Sequence, residues 1–356
     1  MRRLRSRVST PGLLGNETEL EATRTQPVYR GKLARCLRIF YAFASACNVD
    51  LAAFSRNLLL AEETAALFVQ WCYDRRVPFW MCKHGLLAIQ TRWRHLKGTL
   101  GRGWDALRSW GLRRPLNSRT PITLELLQAL AAISFSQGLE HAGFSHLFCC
   151  FSVLVRVGFF CLLRPGELTR LRAGDVLLPA EHEESTSAVL RIVNPKNAQF
   201  MGRCQFAMLH DGSTIAWLRW LVHGLPSGCK LWPSSANRFR SVFTYMMKTM
   251  ELSHLKLGPG SLRPGGTTHQ FRAGISVARL KFWGRWASES SLNVYVQECM
   301  ARLVECSLSS ESQVSVIDVC RRSQLFWTGP PAVPWQALFL RARQWQSFAA
   351  TRCSQP

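Results

Sequence analysis

Apolar positions in the first third of the chain recur at helical rather than strand spacing. Leu33, Leu37, Phe40, Tyr41 and Ala44 fall three or four residues apart or share one face, which predicts an amphipathic helix. A second helix is predicted over 62–71 and a third over 79–96, the latter with Leu86, Leu87, Ile89 and Trp93 on its apolar side. After a charged break bounded by Pro115 and Pro121, helical patterning resumes over 122–130, where Thr123 carries the hydroxyl that an N-cap uses. Residues 147–163 are the most apolar stretch. Arg156 interrupts it, and it falls short of the roughly 20 residues that span a bilayer, so it predicts a buried helix in a soluble chain with no membrane partner.

Beyond that helix the texture changes. Residues 175–178, 189–193 and 205–209 are short strand-like runs, and Asn194-Pro195-Lys196-Asn197 between the last two is turn chemistry. Helical candidates return over 215–222, 238–250, 268–280 and 292–304. The pattern predicts a mainly α chain with a small antiparallel β-sheet. It divides into a flexible basic arm (1–27), a small helical domain (28–115), a linker (116–123), a larger α+β domain (124–305) and a C-terminal segment (306–356). In that last segment a Pro-rich break precedes an aromatic, basic helix candidate over 335–348. It either packs on its own domain or docks on a neighbouring protomer.

Charge narrows the class of partner. The 356 residues hold 45 Lys and Arg against 22 Asp and Glu, a formal net charge of +23, which points to a polyanion. The 13 cysteines contain no C-x-x-C pair and no matching Cys/His spacing, so neither a metal site nor a disulfide framework is expected, and the thiols fit a reducing, intracellular setting. The basic N-terminus leads into Pro11, Gly12 and three glutamates rather than an apolar run, which fits a flexible arm or a transit or nuclear signal. From Lys83 to Arg119 nine Lys or Arg face one acidic residue, Asp105. Lys83, Arg92, Arg94, Lys97, Arg113, Arg114 and Arg119 are therefore candidates for contact with a nucleic-acid backbone. The interleaved Trp93, Trp104 and Trp110 serve either helix packing or base and sugar contact.

Two arginines stand out by position. Arg164 precedes Pro165, which suits the first turn of a new helix, so a guanidinium sits beside free backbone N–H groups, with Glu167 close enough to steer it. Arg263 precedes Pro264 and is expected to be extended ahead of a Gly265-Gly266 turn and a helix. Downstream, Phe282-Trp283-Gly284-Arg285-Trp286 leads through a serine-rich loop to a helix expected to carry Tyr295. Each feature alone is weak.

Together, and in this order, they resemble the tyrosine recombinase, or phage integrase-like, family. The segment 158–168, followed by Leu171 and Asp175-Val176, is similar to the first-arginine box, in which a Gly-Leu-Arg-x-x-Glu-Leu pattern precedes a strand. Ser261-Leu262-Arg263, Gly284, Trp286 and Tyr295 are similar to the second arginine, the Gly-His or Gly-Trp pair and the tyrosine, and Lys196 matches the hairpin lysine. The resemblance covers about 28–305. It implies a SAM-like helical core-binding domain followed by an α+β catalytic domain. Tyr295 would be the nucleophile, Arg164 and Arg263 would stabilise the transition state, Lys196 would protonate the leaving oxygen, Trp286 would bind a nonbridging oxygen, and Glu167 would support them. The implied partners are double-stranded DNA and further copies of the chain assembled on it. No cofactor, metal or small-molecule substrate enters the scheme, and the place of action is wherever DNA is, the nucleus if the source is eukaryotic. One position departs: Gly260 stands where the family has a histidine, and Pro264 where another is common. A glycine cannot relay a proton, and His269 lies nearby but further on. Two other readings follow, a DNA-binding relic that no longer cuts and a basic helical RNA-binding or scaffold protein.

Overall fold

A computed structural model describes residues 27–114, 119–140, 145–180, 187–195 and 202–332. The chain divides into two compact units, Met1–Asn117 and Ser118–Pro356. The basic arm, Lys196 and the helix expected over 335–348 lie outside the described residues.

The first unit is helical: α1 (Pro27–Ala46), α2 (Leu51–Arg56), α3 (Leu58–Asp74), α4 (Phe79–Arg92) and α5 (Gly101–Leu112). Side-chain caps set the starts of α2 and α3, where Asp50 and Asn57 each accept from two backbone N–H groups. The helices close on Phe40, Phe43, Phe54, Phe68, Leu86 and Ile89, all buried. Gly85 and Gly103 let helices approach, since a Cβ on either would lie 2.8 Å from a side chain of α3. The tryptophans are packing residues. Trp93 sets its edge against Phe40 and Phe54, Trp110 against Tyr73 and Phe79, and Trp104 packs on the same core. The third helix stops at Arg92, earlier than its pattern predicts, and the backbone passes through Trp93 into a single 3-10 turn at Arg94–Leu96.

In the second unit α6 (Leu124–Glu140) and α7 (Ser145–Phe160) form the centre of a large core. Thr123 caps α6, accepting from the Leu126 N–H at 3.4 Å. The short α8 (Pro165–Leu168) follows, then a three-stranded antiparallel sheet of β1 (Val176–Leu177), β2 (Ala188–Val193) and β3 (Cys204–Leu209) in sequence order. Its register pairs Val176 with Leu190, Ala188 with Leu209 and Val193 with Cys204. Alternation sends Ala188, Leu190, Ile192, Ala207 and Leu209 into the core and Arg191 outward. Next come α9 (Gly212–Val222), α10 (Ala236–Thr249), α11 (Leu262–Arg272), α12 (Val277–Trp283), α13 (Glu289–Asn293), α14 (Glu298–Ser307), α15 (Ser310–Arg322) and α16 (Gln324–Thr328). The chain is thus mainly α with a small antiparallel sheet, as the pattern predicts. No helix among the described residues is long and apolar enough to cross a membrane.

Three local expectations are corrected. Gly265 and Gly266 form no turn: they lie inside α11, and what calls for glycine there is close packing, since a Cβ on either would fall 2.2 or 2.0 Å from the carbonyl oxygen of Ile122 or Phe159. Arg263 is therefore helical, and Pro264 is tolerated because first-turn N–H groups need no partner within the helix. The helix expected over 268–280 is broken by Gly274 at φ +84°, which closes a Schellman motif through Ile275 N–H to Gln270 O at 3.1 Å. The helix expected over 292–304 is also two pieces, and Tyr295 sits in the turn between α13 and α14.

Candidate active site

The ends of helices assemble this site. The buried α7 finishes in a Schellman motif in which Leu162, at φ +52°, takes the left-handed position and Leu163 N–H bonds Gly158 O at 3.0 Å. The short α12 finishes in the same way. Arg285 is left-handed at φ +57°, its N–H reaching Phe282 O at 3.1 Å and the Trp286 N–H reaching Lys281 O at 3.0 Å. The carbonyls left over at these two C-termini point at Arg263, whose Nη1 donates to Leu162 O at 2.9 Å and whose Nη2 donates to Gly284 O at 2.5 Å. A cation at the negative ends of two helices is favourably placed, which offsets part of the cost of burying it at 2% exposure. Burial nonetheless pulls the Arg263 pKa below that of an ordinary arginine, and the nearby Arg164 and Arg285 cations act in the same direction.

Arg263 carries an aromatic cover. Its Cζ lies 4.2 Å from the Trp286 ring centroid and 5.2 Å from that of Tyr295, and the two rings are 5.2 Å apart. Gly284 makes room for this, since the Trp286 ring lies where any Cβ at 284 would be. Trp286 is 4% exposed and its Nε1 has no hydrogen-bond partner among the described residues, a buried donor available to an incoming acceptor. Tyr295 is half-buried, held through its backbone by Leu292 O and by the Thr268 hydroxyl.

The second arginine layer centres on Glu167. Arg164 is the N-cap residue of α8, and its N–H donates to Glu167 Oε2 at 3.0 Å while its Nη1 donates to Oε1 at 2.7 Å. Oε2 also accepts from Arg285 Nη2 at 2.9 Å. Burial pushes the Glu167 carboxyl up, but Arg285 and Arg164 outweigh it and hold it below the usual carboxylate range. Arg164 and Arg285 thus share one carboxylate, and with Arg263 close by the three guanidinium groups and Glu167 leave a local charge of +2 that favours an anion.

The sequence-predicted Arg164, Glu167, Arg263, Trp286 and Tyr295 are drawn into one cluster. Lys196 belongs to the β2–β3 connection, outside the described residues; the connection starts at Asn194, left-handed at φ +49°. Arg285 was not anticipated. Its only sequence signal is its place between Gly284 and Trp286, and nothing local says that it faces Glu167, 118 residues away. At Gly260 a Cβ would lie 2.0 Å from Arg119 Nη1, so the Arg119 side chain covers the glycine. His269 is on α11 itself, its ring packed on Phe159 and Phe160 at 5.6 and 6.2 Å. Lys83, Arg92, Arg94, Lys97, Arg113 and Arg114 are exposed on the first unit, and Arg119 is exposed on the second. Among the described residues no group of three or more His, Cys, Asp or Glu could hold a metal ion.

No protein-family model matches the sequence, and no curated protein matches it. Solved structures do. XerH site-specific recombinase bound to palindromic difH substrate, in a post-cleavage complex, aligns over 81% of this chain and 81% of its own with a TM-score of 0.52 at 15% identity. XerH in a pre-cleavage complex with difH aligns over the same shares with a TM-score of 0.51 at 15% identity. XerA recombinase covers 84% of this chain and 94% of its own at 12% identity, with a TM-score of 0.37. The likeness to XerH is one of fold: this chain has the site-specific recombinase fold.

Proposed function

We propose that this chain breaks and rejoins DNA strands through a covalent bond between Tyr295 and a 3′-phosphate. The observation that carries the reading is the convergence of Arg263, Trp286 and Tyr295, with ring and guanidinium centres 4.2 to 5.2 Å apart, beside the Arg164–Glu167–Arg285 group. The fold shared with XerH supports it. The Tyr295 oxygen attacks phosphorus in line, the bond to the 5′-oxygen breaks, and the leaving oxygen takes a proton, which the resemblance assigns to Lys196. The phenol proton goes to solvent. A second 5′-hydroxyl reverses these steps on another strand, so no external energy is consumed.

The barrier lies in gathering negative charge on the phosphoryl oxygens, where arginine is the fitting residue because it stays charged and donates in a fork. Among the described residues two of the five N–H donors of Arg263 go to carbonyls, leaving three, and the Trp286 N–H adds a fourth. Arg164, 22% exposed at its side chain, is the more accessible cation. Integration into new sites and assembly of several copies on DNA are part of the same reading.

The enclosure of Arg263 favours a second reading, DNA binding without cleavage. One experiment separates the two. Incubation with nicked duplex DNA, followed by denaturing electrophoresis, is expected to yield protein bonded to a 3′ end from the wild type and none from Tyr295→Phe. Binding with no adduct from either protein would support the second reading, and an adduct that persists in Tyr295→Phe would remove Tyr295 from its role.

A further inference from the structure

We infer that Arg285 is a positioning residue that holds Arg164 in place through Glu167, and that it accepts a strained backbone to do so. The inference rests on the proposed cleavage reaction and adds a residue to it. Arg285 occupies the left-handed C′ position of the α12 Schellman motif, at φ +57°. Glycine is the usual occupant because a Cβ there crowds the next carbonyl, and a non-glycine residue costs about 1 kcal/mol or more. An arginine that merely packed would gain nothing from this place. What the position supplies is direction. Nη2 meets Glu167 Oε2 at 2.9 Å, and the opposite oxygen of the same carboxylate receives Arg164 Nη1 at 2.7 Å. Arg285 thereby fixes the plane of the Glu167 carboxylate, and that plane fixes the Arg164 guanidinium.

The same turn serves the second arginine. Gly284, immediately before Arg285, presents the carbonyl that accepts Arg263 Nη2, and Trp286, immediately after, covers Arg263 with its ring. One left-handed residue therefore sets the relation between the two arginines proposed to bind the phosphate. Among the described residues the charged groups facing Glu167 are Arg164 on its own element, Arg285 after α12 and Arg263 on α11. Arg170, Arg172, Asp175, Arg191 and Lys230 line the hollow on its other side.

The test is Arg285→Gly, which keeps the left-handed turn and deletes the guanidinium. Wild type, Arg285→Gly, Arg285→Lys and Arg285→Gly/Glu167→Gln are compared in single-turnover cleavage of nicked duplex DNA and in DNA binding by anisotropy. Arg285→Gly is expected to cut about 100-fold more slowly, the size of effect that a misplaced catalytic group produces, with the dissociation constant within about twofold of wild type. With one partner gone, burial carries the Glu167 carboxyl upward. The Arg285→Gly rate then falls as pH drops through a range where the wild-type rate is flat, and the Glu167→Gln double variant loses that slope. Arg285→Lys restores part of the rate.

A second measurement is independent of cleavage. The Arg164 Nε–H NMR signal, assigned with Arg164→Lys, is expected to be sharp and insensitive to mild acid in wild type but broadened and pH-dependent in Arg285→Gly. A wild type that forms no adduct sinks the cleavage reading, and the inference then stands or falls on this signal. It is overturned if Arg285→Gly cuts like wild type, if its loss of rate is matched by a loss of affinity, or if the Arg164 signal is unchanged.

Discussion

Arg119 lies so close over Gly260 that a Cβ there would be 2.0 Å from its Nη1, and this changes what a substitution at 260 does. The obstructing atom ends a flexible, exposed side chain, so the protein yields by moving Arg119 rather than by unfolding. Gly260→His is therefore not a simple restoration of the histidine that the resemblance places there. Gly260→Ala is expected to mimic Arg119→Ala in DNA binding, each lowering the slope of log affinity against log salt by about 1 if Arg119 meets a phosphate. Anisotropy titrations between low and moderate salt measure this, and unequal slopes for the two variants would separate them. Glu167 gives a stability prediction. Its folded pKa is held below the usual carboxylate value, so its contribution is fully present above the unfolded pKa and is lost as pH falls through the folded one. Glu167→Gln leaves two arginines without their carboxylate and is expected to cost about 3–5 kcal/mol near pH 7, the scale for breaking a buried pair. In urea unfolding that difference should hold level down to the ordinary glutamate value of about 4.3 and shrink only as the solution is acidified below it, and a difference independent of pH would refute the assignment.

At the scale of elements, glycine positions decide whether helices can meet. In α11, Gly266 faces Phe159 O at the C-terminal end of α7, the same helix end that offers Leu162 O to Arg263. Gly266→Ala would push the two helices apart by steric overlap, with an expected loss of about 1–3 kcal/mol and a parallel loss of DNA cleavage. Gly31 in α1 is the control, because among the described residues nothing lies within 4 Å of a Cβ placed there. Gly31→Ala should instead stabilise by about 0.5–1 kcal/mol, as helix propensity requires. Equal effects of the two substitutions on urea midpoints would contradict the packing argument. The helices predicted from apolar spacing and the three strand-like runs were legible because such spacing is a local property of the sequence, whereas the helices at Leu51–Arg56, Gly101–Leu112 and Ser310–Arg322 were not read from it. The breaks at Gly274 and around Tyr295 were not, because apolar residues continue across both and the interruption is made by C-cap geometry and by packing on other elements.

At the scale of the whole molecule, the net charge of +23 makes affinity for a polyanion a matter of counterion release. Lys83, Arg92 and Lys97 are exposed cations of the first unit. If they meet phosphates, replacing all three with alanine should lower the log–log salt slope by about 3, roughly 0.9 per contact, while leaving the Tyr295 adduct detectable at low salt. An unchanged slope would assign DNA contact to other residues. A slope changed together with complete loss of adduct would show that these cations also serve the reaction.

The amino-acid sequence by itself determined the helical character, the small sheet, the excess of positive charge and the identities of the side chains available for chemistry, since periodicity, composition and residue type are local properties. Tertiary structure decided what those side chains meet. That Arg263 is held between the C-terminal carbonyls of two helices, that Arg285 takes a left-handed turn to reach Glu167, and that Arg119 fills the space above Gly260 all follow from contacts between residues far apart in the chain. Such contacts leave no local pattern, because the free energy that selects them comes from burial and charge pairing in the assembled core.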